Sequence, residues 1–207
     1  MNTCQPDAPQ SFGFKCFWIA VRTGDNQAVA EAMGLREIKI CNWLDGVSIA
    51  YDRESHRVFI TPPLRGWVLA AGWTLPPNDL PETAQKLKTL LENLGHRFSE
   101  VQYFGTYRVA DYHSWIRLVN GNVVRAYAYG DGETFLNVGE PDQAEAAIRE
   151  TFLREFGRKH PEVGKDYEYM PDEEDVMSIA TTWSIDPSRL EEMGLPPGVG
   201  LVGELPQ

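Results

Sequence analysis

The sequence predicts a single α+β domain in which helices pack on a largely antiparallel sheet. Short apolar segments with a period of two recur between residues 100 and 138, as expected for neighbouring strands that place one face in the core. The dipeptides Asn120-Gly121 and Asp131-Gly132 lie between such segments and tolerate the positive φ of tight hairpin turns. Other segments carry apolar residues at helical spacing, and no internal repeat or linker divides the chain.

Length and composition are those of a globular protein with a substantial core. The chain has 207 residues, of which 43% are hydrophobic and 24% are charged. Its 6 Trp, 8 Tyr and 9 Phe are expected to supply much of the core, because each aromatic side chain buries about 150 to 250 Å² when covered.

The first part of the chain is expected to be rich in strands. A polar arm over residues 1–11 contains two prolines and is expected to be flexible, so the ordered domain spans 12–207. The apolar residues 14–21 predict a buried strand, followed by a short helix over 26–33 that ends at Gly34. Alternation and turn residues predict four more strands, over 37–40, 47–51, 57–61 and 66–73.

A helix over residues 80–94 separates these strands from a second set. Its leucines recur at helical spacing, and Gly95 stands where a helix is expected to end. The strands predicted after it cover 101–104, 107–112, 115–119, 123–129 and 135–138.

The remaining residues, about 140–207, are predicted to form an acidic helical part of the same domain. One helix runs to Phe156, a second begins after Pro171 with acids at its N-terminal end, and a short third extends from Asp186 to Met193. A tail rich in Gly and Pro follows.

The acidity of the chain is concentrated in this last third. Residues 1–130 carry 12 Asp and Glu against 13 Lys and Arg, whereas residues 131–207 carry 18 against 6, which accounts for the net charge of −11. Such a segment repels nucleic acid and anionic membranes and attracts a basic protein over about 8 to 10 Å. We therefore expect a basic protein partner, with no binding to nucleic acid or membrane.

The cysteines and the N-terminus indicate a cytoplasmic protein. Cys4, Cys16 and Cys41 are odd in number and show no spacing typical of zinc ligands or a redox pair, which fits a reducing compartment. The N-terminus lacks the cationic start and apolar run of a signal peptide, and no apolar segment approaches the ~20 residues of a membrane span.

Asp111 and His113 come nearest to a catalytic set. On a strand these two positions share a face. His113 would act as the base and Asp111 as the carboxylate that orients it, and a cysteine from elsewhere would supply the nucleophile. Neither Cys16 nor Cys41 lies in the first turn of a predicted helix, where its pKa would be lowered, so packing is the favoured role of both thiols. We assign no catalytic residue and retain an enzyme with a non-standard site around Asp111 and His113 as an alternative.

No metal site and no cofactor is predicted. The four histidines lie in four separate segments without zinc-ligand spacing. Residues 172–175 lack the alternation of acids found in calcium loops, and Gly130-Asp131-Gly132 lies between strands and lacks the third glycine of a dinucleotide cradle.

Seven carboxylates fall within residues 162–175, against Lys165 alone. Two tyrosines are interleaved with them, so the acids are expected to steer a basic partner while the tyrosines provide buried anchors. The residues predicted to bind the partner are Asp166, Tyr167, Glu168, Tyr169, Asp172, Glu173, Glu174 and Asp175.

Several segments resemble those of uncharacterised bacterial proteins of the toxin-immunity type. The likeness covers most of the chain from about residue 40 onward and is carried by 66–70, 101–104, 112–115, 125–129 and 175–187. It implies a cytoplasmic immunity protein that neutralises a cognate toxin by occluding it.

A structural or regulatory scaffold is a second alternative. Its contact surface would be formed by aromatic residues on the sheet, with Tyr127 or Tyr129 facing outward.

Overall fold

The computed structural model describes residues 5–161 and 168–206, and within these residues nine strands form one sheet. The strands, in chain order, are β1 (Cys16–Val21), β2 (Arg36–Asn42), β3 (Arg57–Ile60), β4 (Val68–Ala71), β5 (Glu100–Tyr107), β6 (Tyr112–Val119), β7 (Asn122–Gly130), β8 (Glu133–Val138) and β9 (Val199–Glu204). Their order across the sheet is β2-β9-β3-β4-β1-β5-β6-β7-β8, and every neighbouring pair is antiparallel. The predicted α+β class with a largely antiparallel sheet is confirmed.

Helices cover both faces of the sheet and make three layers. They are α1 (Asn26–Ala32), α2 (Trp43–Tyr51), α3 (Pro81–Arg97), α4 (Gln143–Lys159) and α5 (Glu173–Trp183), with 3-10 turns at Arg108–Ala110 and Pro187–Met193. Helices α1 and α3 pack on one face, and α2, α4 and α5 on the other. Because side chains alternate along a strand, Trp18 packs under α5 whereas its neighbour Ile19 lies in the opposite core.

The prediction of a strand over residues 47–51 is wrong, because these residues belong to α2. The side chain of Asn42 caps this helix by accepting from the amide of Asp45 at 3.0 Å. Asp7 accepts from the amides of Trp43 and Leu44, at 2.6 and 3.0 Å. These bonds satisfy the free amides at the start of the helix. Because Asp7 lies far from α2 in sequence, the local β propensity of residues 47–51 did not reveal the helix.

The 107–112 prediction and the tail prediction also differ from the structure. Residues 108–110 form a 3-10 turn, after which Asp111 takes a positive φ of 49° and the chain reverses into β6. In the predicted tail, Val199–Glu204 forms β9 and lies between β2 and β3. The acidic C-terminal part therefore contributes to both ends of the molecule.

Residues 5–11 of the predicted arm make specific contacts. Besides capping α2, Asp7 forms an isolated bridge with Gly198, and the amide of Ser11 donates to Glu191 at 3.1 Å. Phe12 is buried, and its amide donates to the carbonyl of Pro187. The described part of the arm is thus attached to α2 and to the C-terminal residues.

Candidate functional site

A groove lies between α4 and the start of α5, on the side predicted to carry the partner site. Its volume is about 410 Å³. The floor is formed by uncharged side chains of α4, among them Ile148 and Phe152, and the rim by three carboxylates, Glu155, Asp172 and Asp175. An apolar floor with an anionic rim suits a long cationic side chain, which can lay its methylene stem on the floor and its charge at the rim.

Two capping aspartates fix the helices that border the groove. Asp142 accepts from the amide of Glu145 at the start of α4, and its other oxygen accepts from the indole N–H of Trp183 at the end of α5. Asp172 accepts from the amides of Glu174 and Asp175 at 2.8 and 3.0 Å. Because Asp142 caps α4 and also binds the end of α5, it ties the two helices together.

Tyr169 is part of the core and does not present its ring to a partner. The ring packs edge-on against Phe152 at 5.4 Å, and the guanidinium of Arg149 lies over it at 4.9 Å. Its hydroxyl donates to Asp175 at 2.7 Å. Burial raises the pKa of Tyr169, and burial also raises the pKa of Asp175. The sequence predicted that Tyr169 anchors a bound partner. In the structure its buried side chain instead anchors α5 within this chain.

Glu173 is also engaged internally. One carboxylate oxygen accepts from the amide of Lys15 at 3.2 Å and from the hydroxyl of Thr106 at 3.4 Å, and the other lies 3.5 Å from the guanidinium of Arg108. Its side chain is only 12% exposed. Glu173 therefore holds the start of α5 against the sheet.

The remaining predicted acids stay available to solvent. Glu168, Asp172 and Glu174 are exposed, and Asp175 is half-buried at the rim of the groove. Asp166 and Tyr167 lie outside the described residues. Glu155 also lines the groove, although the sequence did not indicate it as a partner-binding residue. It lies on α4, far in sequence from the acids of α5, and comes close to them only when the two helices pack.

His113 lies in a buried polar cluster between the sheet and the start of α5. A ring nitrogen is 3.1 Å from the hydroxyl of Thr106, and the other is 3.9 Å from Asp111. Burial lowers the pKa of His113, although the nearby carboxylates of Asp111, Glu173 and Asp172 act in the opposite direction. Burial is the larger effect, so the folded protein favours the neutral imidazole.

Cys16 reaches the same face but not the histidine. It pairs with Thr106 across β1 and β5, and Thr106 pairs with His113 across β5 and β6, so Thr106 stands between the thiol and the imidazole. Burial raises the pKa of Cys16 to about 12, and its thiol donates to the carbonyl of Phe17. A buried protonated thiol is a poor nucleophile, so Cys16 is not activated to attack a substrate.

Neither tyrosine of the scaffold alternative faces outward. Tyr127 and Tyr129 are both buried, and Tyr127 stacks on Trp115 with ring centres 4.5 Å apart. They belong to the core that lies under α4 and α5.

Comparison of the chain with protein-family models, with curated proteins and with solved structures found no match. Within residues 5–161 and 168–206, no helix is both long and apolar enough to cross a bilayer. The same residues contain no group of three or more His, Cys, Asp or Glu side chains placed to hold a metal ion.

Proposed function

We propose that this chain is a binding protein for a basic protein partner and that the groove between α4 and α5 is its contact site. The observation that carries the proposal is the pairing of an apolar floor with a rim of three carboxylates. A basic side chain entering the groove gains apolar contact with Phe152 and charge-assisted hydrogen bonds at the rim.

A basic side chain of a partner would compete with Arg158 of this chain for Glu155 at the rim. Arg158 donates to Glu155 at 2.8 Å, and both side chains are largely exposed. An exposed pair of this kind contributes little to stability, so a partner can displace it at little cost.

The most specific form of the proposal is an immunity protein that neutralises a cognate toxin by occluding it. Its support is the anionic groove, together with the likeness of several segments to bacterial proteins of the toxin-immunity type. The His113 cluster favours this reading over an enzyme, because its thiol is protonated, its imidazole is buried and Thr106 separates the two.

Site-specific crosslinking in the source cells tests the proposal. A photoreactive amino acid at position 155 should capture a basic protein, whereas the same group at the exposed position 150 of α4 should not. The captured protein, expressed alone, should arrest growth, and coexpression of this chain should restore it. Capture of the same proteins from both positions would contradict the groove, and a harmless captured protein would contradict the immunity role.

A further inference from the structure

The sheet ends in an exposed apolar edge at β8, on the face opposite the groove. Helix α3 lies over β5 and β6, whereas within residues 5–161 and 168–206 no helix packs closely on the same face of β7 and β8. Val123, Phe135 and Val138 are exposed there to 50%, 46% and 47%. Leu136 is half-buried beside them, and Phe135 stacks on Tyr112 with ring centres 6.3 Å apart.

The two edges of the sheet are built differently. Edge strand β2 carries Arg36 and Lys39, a register shift between them, and a positive φ of 49° at Glu37. Charges and irregularities of this kind are what proteins use to prevent a free edge from pairing with another chain. Strand β8, with the sequence Glu-Thr-Phe-Leu-Asn-Val, has no Lys, Arg or Pro. One register shift against β7 is its only irregularity of the kind that discourages pairing.

The charges around β8 select the kind of strand that can pair with it. Residues 126–142 contain no Lys or Arg, and the exposed Asp131, Glu133 and Glu140 flank the two ends of the strand. Two copies paired antiparallel about the middle of β8 would bring Asp131 of each close to Glu140 of the other. A second copy is therefore disfavoured, and cationic flanks are favoured.

We infer that β8 is a docking edge for an extended segment of another protein, which adds to the sheet as a further strand. The segment alternates apolar residues, which cover Leu136 and Val138, with residues that face away, and it carries Lys or Arg at its ends opposite the acids. Main-chain hydrogen bonds to the free edge supply affinity, and the apolar patch and flanking charges supply selectivity. This surface is distinct from the groove between α4 and α5 and can be tested apart from it.

A library of displayed random 12-residue peptides, selected against the full chain, provides the probe. The enriched peptides should alternate apolar residues between basic ends. A synthetic copy should bind at least tenfold more weakly to Val138→Lys and to Val123→Lys, and equally well to Ile40→Lys, whose position on the opposite edge is 51% exposed. Circular dichroism confirms that each variant is folded, and hydrogen exchange should show new protection of amides in residues 133–138.

Three results would overturn the inference. One is selection of no alternating basic peptides. Another is peptide binding that is lost in Glu155→Lys but kept in Val138→Lys, which would assign the peptides to the groove. The last is a concentration-dependent dimer in sedimentation that Val138→Lys abolishes, which would assign the edge to a second copy.

Discussion

At the scale of single residues, Glu145 shows how strongly one buried charge depends on its partners. Its side chain is completely buried and lies within ion-pair distance of Arg125 and Arg149, at 2.5 and 2.7 Å, while the indole of Trp115 donates to it. Removing one member of a buried ion cluster leaves uncompensated charge, which costs about 3 to 5 kcal/mol. Glu145→Gln should lower the free energy of unfolding by that amount in urea titrations, with little change in the slope.

The matched control is Glu150→Gln, which lies on the same helix and is exposed. It should change the free energy of unfolding by less than about 0.5 kcal/mol. A loss of under 1 kcal/mol in Glu145→Gln would show that the cluster does not hold α4 on the sheet.

His113 predicts a specific pH dependence of stability. Burial holds its pKa below 6.5 in the folded protein, so the unfolded chain binds the proton more readily. Stability from this residue is therefore fully present above about pH 6.5 and is lost as the pH falls from 6.5 towards the folded pKa. His113→Gln should flatten the decline of unfolding free energy in this window, as measured by urea titrations at a series of pH values.

The same assignment can be checked directly on the imidazole. An NMR titration of His113 in the folded protein should give a pKa below 6.5, with Asp111, Glu173 and Asp172 as the carboxylates that limit the shift. A pKa above 6.5 would mean that these carboxylates outweigh burial.

At the scale of elements, Asp172 at the start of α5 has two roles that can be tested separately, because it caps the helix and also lines the groove. Asp172→Ala removes the acceptor for two helix amides and should cost about 0.5 to 2 kcal/mol in thermal unfolding. Asp172→Asn retains a cap acceptor while it removes one charge from the groove, so it should keep most of the stability but weaken partner binding. Equal stability losses in the two variants would show that charge, and not capping, holds this helix end.

Elements with strong local signals were predictable from sequence, and those fixed by remote contacts were not. The leucines of α3 and the acids before α5 indicated both helices, and the hairpin dipeptide Asn120-Gly121 lies at the β6–β7 turn. Helix α2 was missed because Asp7 supplies part of its cap, and because Gly46 allows Phe59 to approach more closely than a Cβ atom would permit. Strand β9 was missed because its two glycines, among other Gly and Pro residues near the C-terminus, are typical of an irregular tail.

At the scale of the whole molecule, the sequence located the acidic segment but not the surface that it makes. It predicted eight partner-binding residues, of which Tyr169, Glu173 and Asp175 make hydrogen bonds or ion pairs within the chain. The floor of the groove comes from α4, which the sequence indicated only as a helix. Charge is visible in a sequence, but which charges stay exposed depends on contacts such as that between Glu173 and Arg108.

This distinction determines how the groove should be tested. Reversing all four acids over 172–175 would break the internal bonds of Glu173 and Asp175 as well as remove exposed charge. The double variant Glu155→Lys with Glu174→Lys changes only exposed or rim carboxylates. It should slow association with the captured partner at least tenfold at low salt, and by much less at 0.5 M salt, because salt screens steering charges.

The control for this variant carries the same change in net charge at other exposed positions. Glu82→Lys with Glu150→Lys places the reversals on α3 and on α4 away from the groove rim. If steering comes from the rim, this control should keep most of the association rate at every salt concentration, because only the rim variant removes charges close to the docking path. Equal slowing in both variants would mean that the net charge of −11, and not the groove, attracts the partner.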